Sequence, residues 1–216
     1  MTLRILAIAL FALAPAVRAQ ENCADASDKA LCAEFLAIEA EDQAAMGRAG
    51  ELYAAGKPWE AEMRAVQRKH AERLKAVQKE KGWPGPALLG IEGFKAATVV
   101  VQHADHDPAL QKKFLKEMKK RAGKKDGVSA DLYARLEDRL LMNARKVQRY
   151  GTHLEVRKGQ GCLLAAPLER PGKTEALRRK LGLEPLSEYL EVCTRAVLAD
   201  PENCPGPKCL GGAPRK

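Results

Sequence analysis

After residue 19 the chain lacks any apolar run approaching the ~20 residues that a transmembrane helix needs, so a soluble mature protein is expected. It has no Gly-x-Ser-x-Gly, and its cysteines read as bridge formers, so no nucleophile motif is present. It has no Cys-x-x-Cys, and its cysteine spacings do not match a zinc finger. No glycine-rich loop stands between a strand and a helix, which argues against a nucleotide-binding fold. There is no internal repeat and no low-complexity tract. No metal and no cofactor is expected from these features.

What is present begins with a targeting pattern. Arg4 gives a basic start, residues 5–14 form an apolar run too short to span a bilayer, Pro15 breaks it, and Val17-Arg18-Ala19 offers small residues for cleavage before Gln20. Residues 1–19 therefore read as a signal peptide, and the protein as exported, periplasmic or secreted. Cleavage would remove Arg4 and Arg18, lowering the formal charge of +9 by two. All six cysteines (Cys23, Cys32, Cys162, Cys193, Cys204, Cys209) lie beyond that point, and an even count in an exported chain favours disulfides. Cys23/Cys32 and Cys204/Cys209 are spaced for local bridges; coupling of the two ends is the alternative.

Helical periodicity dominates the rest. Ser27 is placed to cap a first helix with Leu31, Phe35 and Ile38 inward, and Gly56-Lys57-Pro58 breaks the chain. Helix 58–81 carries Met63, Val66, His70, Leu74 and Val77 on one face. Trp83-Pro84-Gly85-Pro86 is a stiff turn. Segment 88–104 places Ile91, Phe94, Ala97 and Val101 together; its length favours helix despite the run of valines. Asp107-Pro108 starts another helix, with Leu110, Phe114 and Met118 buried, and Ser129 starts the next, with Leu132, Leu136 and Leu140 inward. Segments 147–156 and 162–168, separated by Lys158-Gly159-Gln160-Gly161, read as a two-stranded hairpin. Helices over 173–181 and 185–199 follow, then an irregular Cys/Pro/Gly tail, 200–216. The expectation is a mainly α fold with a small β-hairpin near residues 147–168 and disulfide-tied termini. It divides into an N-terminal helical segment, 20–57, and a helical core, 58–199.

The chemistry-bearing side chains concentrate between residues 82 and 153, where Gln102-His103-Ala104-Asp105, Asp138-Arg139 and Gln148-Arg149-Tyr150-Gly151-Thr152-His153 stand. His103 is the candidate general acid/base. Asp105, two residues on, points to another side of a helix, so direct pairing with His103 is not expected. Arg139 is expected to reach a carboxylate such as Asp105, or an anionic ligand. Gln148 and Tyr150 alternate on the expected strand and share a face, with His153 opposite. Trp83 reads as a core plug or a pocket wall. His103 and His106 could share a metal from one turn only with a third ligand.

These motifs, in this order, resemble a bacterial family, the domain of unknown function 6624. The resemblance runs over roughly residues 60–192 and includes Leu181-Gly182-Leu183-Glu184-Pro185-Leu186-Ser187-Glu188-Tyr189-Leu190. It implies a mostly helical domain, with the Tyr150-Gly151-Thr152 stretch extended. It points to Trp83, His103, Asp105, Arg139, Gln148 and Tyr150. The family reads Tyr-Gly-Thr-Gln where this chain has His153.

The reading is an envelope binding or interaction module with a polar pocket around Trp83, His103, Arg139 and Tyr150. Its ligand residues are Trp83, Gln102, Gln148, Tyr150 and His153; its ligand or envelope partner is not specified by sequence. One alternative is a hydrolase-like enzyme using His103, Asp105 and Arg139. The other is a structural envelope protein with a buried polar network. The basic run 112–125 (Lys112, Lys113, Lys116, Lys119, Lys120, Arg121, Lys124, Lys125) is a solvated face or a contact for anionic surfaces. No aromatics interleave with its charges after Phe114, so nucleic acid is not an expected partner.

Overall fold

A computed structural model describes residues 22–121, 128–156, 163–165 and 167–197. Residues 1–21 with the expected signal segment, the 157–162 connection, the 200–216 tail and Cys162, Cys204 and Cys209 lie outside the described residues. The elements are helices α1 (Lys29–Ala54), α2 (Glu60–Lys81), α3 (Pro86–His103), α4 (Pro108–Arg121) and α5 (Ala130–Asn143). Strands β1 (Leu154–Val156) and β2 (Leu163–Ala165) follow, then helices α6 (Pro171–Lys180) and α7 (Leu186–Val197). The fold is mainly helical. Among the described residues no helix is long and apolar enough to cross a membrane.

Asp28, rather than the expected Ser27, caps α1 by accepting from the Leu31 N–H at 3.0 Å. The Ser27 and Asp28 N–H groups instead donate to the Ala87 and Leu88 carbonyls, at 3.3 and 3.0 Å, which ties the start of α1 to the first turn of α3. Leu31, Phe35 and Ile38 of α1 then enter the same core as Leu74, Val77, Phe94, Val101, Phe114 and Leu136. Asp107 caps α4 through the Leu110 N–H at 2.9 Å, and Ser129 caps α5 through the Asp131 N–H at 3.2 Å.

The run of valines is helical, but α3 is broken near its start. Gly90 adopts φ 69°, and a Cβ there would lie 2.5 Å from Asp25 Oδ1. Asp25 Oδ2 accepts from the Ile91 N–H at 2.9 Å. An N–H left orphaned by the break is thus capped from outside the helix. The Cys23–Cys32 disulfide ties the segment carrying Asp25 to α1. The break shifts the helical phase, so Ile91, expected inside, is 45% exposed. Among the described residues Cys193 has no disulfide partner.

Trp83 packs on Phe114 and Phe94, with ring centroids 4.7 and 5.8 Å away. The indole lies against Gly85 so closely that a Cβ would fall 2.0 Å from its Nε1. The expected long strands are reduced to three residues each. β1 and β2 pair antiparallel, Leu154 opposite Ala165, and Gln148 makes only an isolated parallel bridge to Leu168.

Removing the outside cap (Asp25→Ala) should cost about 1 kcal/mol, and opening the short disulfide loop (Cys23→Ser with Cys32→Ser) about 2–3 kcal/mol. Because the bridge holds the cap, the combined variant should lose less than the sum in urea titrations. Strict additivity would show that the two are independent.

Candidate functional site

Three consecutive residues of α5, Glu137, Asp138 and Arg139, organise the polar cluster. Successive helix positions point about 100° apart, so each reaches a different neighbour.

Asp138 is fully buried. Its carboxylate accepts from the backbone N–H groups of Arg149 (2.7 Å), Tyr150 (3.2 Å) and Thr152 (3.1 Å) and from Thr152 Oγ1 (2.9 Å). A buried carboxylate is tolerated when its lone pairs are filled this way. Gly151 takes φ 72° to complete the wrap, and Leu186 and Leu168 leave no room for a side chain there. Gln148 closes the loop at its base: its Nε2 donates to the His153 carbonyl at 2.9 Å, and its Oε1 accepts from the His153 N–H at 3.0 Å. Residues 148–153 are therefore a loop moulded around Asp138, not the expected strand. A free carboxylate close by outweighs the β propensity of the segment.

Arg139 reaches Asp105 with a bidentate grip, Nε to Oδ1 at 3.0 Å and Nη2 to Oδ2. Asn143 and Gln111 also donate to Oδ1, at 2.6 and 3.2 Å. Burial works to raise the Asp105 pKa, but the Arg139 pair and the two amides outweigh it and hold the carboxyl below its ordinary value. Gln102 contributes its carbonyl, which accepts from Gln111 Nε2 at 3.3 Å.

His103 turns to α1. Its Nδ1 lies 2.6 Å from Asp42 Oδ2; the Asp42 side chain is 2% exposed and that of His103 17%. Among the described residues Asp42 is the hydrogen-bond partner of this ring. The adjacent Glu41 holds His70, at 3.1 Å, and Lys69. The cluster therefore joins Asp105 to Arg139 and gives His103 a different carboxylate. Sequence reasoning missed Asp42, although a signal existed: Leu31, Phe35, Ile38, Asp42, Ala45 and Ala49 form one buried stripe, and Asp42 is its only charged member.

His153 is half-buried, and its Nε2 donates to the Arg135 carbonyl at 3.2 Å. Burial lowers its pKa below 6.5; the carbonyl bond opposes this, and the Arg139 charge adds to it. The glutamine that the resemblance implies at this position would offer an N–H donor of the same kind, whereas His153 is a donor that also titrates.

On the far side of α5, Glu137 accepts from Arg149 Nη1 at 2.7 Å and from the Tyr150 hydroxyl at 3.1 Å. Arg149 also pairs with Glu169, at 2.9 Å. These groups open onto a cavity of about 300 Å³ lined by Lys119, Tyr133, Glu137, Arg149, Tyr150, Leu177, Lys180 and Leu181. Burial first, and then the Glu137 carboxylate, push the Tyr133 and Tyr150 hydroxyls well above the ordinary tyrosine range, so both remain neutral. Glu137 carries the same missed signal as Asp42, a carboxylate on a buried stripe with Tyr133, Ala134 and Leu136.

The C-terminal helices clasp this loop. The Arg178 side chain is 2% exposed and donates to the Tyr150 and Glu184 carbonyls, both at 2.7 Å. The Tyr189 hydroxyl donates to the Thr152 carbonyl at 2.9 Å, and its pKa is pushed up to about 12 by burial. Trp83 stands apart with the aromatic core, beside a cavity of about 250 Å³, and Arg121 lies over its ring at 5.2 Å. Among the described residues no three His, Cys, Asp or Glu side chains converge as a metal set.

Asp138→Ala should cost about 3 kcal/mol or more, because three backbone N–H groups lose their acceptor; Asp138→Asn should cost less, because its amide oxygen still accepts while its NH2 faces donors. Arg139→Ala should cost about 1 kcal/mol or less, since its pair is partly solvated. Chemical denaturation would rank them, and a reversed order would remove Asp138 from its central role. The His153 shift has a pH signature. As pH falls through 6.5 the unfolded chain protonates before the native one, so stability declines from there down to the lower native pKa. His153→Gln should show a smaller loss of Tm than the parent between about pH 7.5 and 5.5; equal losses would refute the assignment.

No curated protein and no solved structure matches this chain. A family of unknown function, DUF6624, matches residues 29–198, a span that takes in every element from α1, with Asp42, to α7. Trp83, His103, Asp105, Arg139, Gln148 and Tyr150, the residues to which the resemblance points, all fall within it, and the chain belongs to that family.

Proposed function

We propose that this protein is an exported binding module of the cell envelope, and that its ligand occupies the cavity beside Tyr150. The observation that carries this reading is the division of labour within the signature motifs. Asp138 and Thr152 direct their side-chain oxygens at one another and Gln148 closes on the His153 backbone, whereas Tyr150, Glu137 and Arg149 face a cavity with an apolar wall and several polar groups. That mixture is the usual lining of a small-molecule site. Export is supported by the basic and apolar N-terminal pattern, and by a Cys23–Cys32 disulfide suited to an oxidising compartment. The exposed lysines of α4, including Lys112, Lys113 and Lys116, suit a role in drawing anions toward the molecule.

A second reading has one observation in its favour. Asp42 holds His103 Nδ1 from a buried position, which is how a carboxylate orients an imidazole for proton transfer through Nε2. In that hydrolase-like reading Asp42, rather than Asp105, is the partner of His103. The structural reading rests on the loop around Asp138, which is also needed to shape the cavity.

NMR mapping with a small-fragment mixture separates these readings. Binding in the cavity predicts amide shifts at Tyr133, Tyr150, Leu177 and Leu181, and their loss in Leu177→Trp with the fold retained. Shifts centred on Asp42 and His103 would transfer the function to the second reading. No shifts at either place would leave only the structural role.

A further inference from the structure

We infer that the ligand of this cavity is a small oxyanion, a carboxylate or a phosphate monoester, carrying a compact apolar body. The inference rests on the cavity being the binding site, and it follows from which groups in the wall still have something to offer.

The two carboxylates near the cavity are already engaged. Glu137 accepts from Arg149 and Tyr150, and Glu169 accepts from Arg149. An ammonium group on a ligand would have to share Glu137 with a guanidinium and sit beside two further cations. Lys119 and Lys180, by contrast, carry no ion pair among the described residues and line the same cavity. Arg149 with its two carboxylates leaves one net negative charge, and the two lysines exceed it. Each lysine also sits in the last turn of its helix, α4 or α6, where it offsets the negative end of the helix dipole. Those partial charges are smaller than the full charge of an ammonium, so the mouth stays positive.

Hydrogen-bonding capacity points the same way. The lysine ammoniums are donors only, and the Arg149 guanidinium keeps N–H groups beyond the two it gives to Glu137 and Glu169, while the Tyr150 proton is already committed to Glu137. Cations with N–H groups to spare suit a group made of acceptors. Leu177 and Leu181 supply the opposite requirement, an apolar surface for the body of the ligand. A volume of about 300 Å³ lies at the lower end for small-molecule sites, which suits a single ring or a short acyl chain rather than a nucleotide or a polymer.

The test titrates the full exported chain with phenyl phosphate, benzoate, benzyl alcohol and benzylamine at low salt, reading amide shifts at Tyr133, Tyr150 and Leu181. The anions should bind, and Lys119→Ala with Lys180→Ala should weaken them on the order of tenfold. Leu177→Trp should abolish binding. The stronger of the two anions identifies whether carboxylate or phosphate is the preferred headgroup. Benzyl alcohol or benzylamine binding as tightly as the anions, and still blocked by Leu177→Trp, overturns the oxyanion assignment while the cavity stands as a site. Anion shifts that survive Leu177→Trp mean association with surface lysines and also overturn it. If none of the four compounds moves these amides, the cavity itself is not the site.

Discussion

The carboxylate of Asp138 is the constraint on which the rest of the polar architecture depends. It is buried, and it accepts three backbone N–H groups and a hydroxyl from one short loop. A charge in that position is tolerable only with all of those donors in place. The loop therefore has little freedom. Gly151 must turn left-handed, Gln148 must close the base, and Tyr150 is left with its hydroxyl toward Glu137 and its carbonyl toward Arg178. The cavity wall, the docking of α6 and the docking of α7 all follow from that loop conformation.

The same device recurs across the molecule. Carboxylates on otherwise apolar helix faces recruit partners from distant segments: Asp42 takes His103, and Glu137 takes Arg149 and Tyr150. Asp25 uses the principle on a backbone, capping a helix that restarts after Gly90. In each case an acceptor in a confined place selects the donor able to reach it. The polar cluster is accordingly not one pocket. It is a set of filled carboxylate sites, with an unfilled space where Tyr133, Tyr150 and the cations of three segments meet.

Much of the architecture was legible in the residues. Helix starts at Asp107-Pro108 and Ser129 carry their own caps, and the apolar stripes of α2 and α4 follow helical spacing without reference to the rest of the chain. The pairing of Arg139 with Asp105 was also within reach, since a guanidinium and a carboxylate on neighbouring helices are natural partners. What misled was local propensity. The 147–156 stretch has strand-like alternation, yet only its last three residues pair as a strand; the N–H groups of Arg149, Tyr150 and Thr152 go to a helix side chain, because Asp138 offers stronger acceptors than a neighbouring strand would. Ile91 was assigned to the core by a periodicity that the Gly90 break interrupts.

The sequence by itself determined the helical character, the breaks between helices, the local Cys23–Cys32 pairing as one option, and the identity of the signature residues, because each depends on neighbours a few positions away. Tertiary structure alone decided which carboxylate serves which donor. His103 and Asp42 are 61 residues apart, and Arg139 and Asp105 are 34 apart. Contacts of that kind are set by how helices pack, and side-chain chemistry offers several partners for every charge until the packing leaves one within reach.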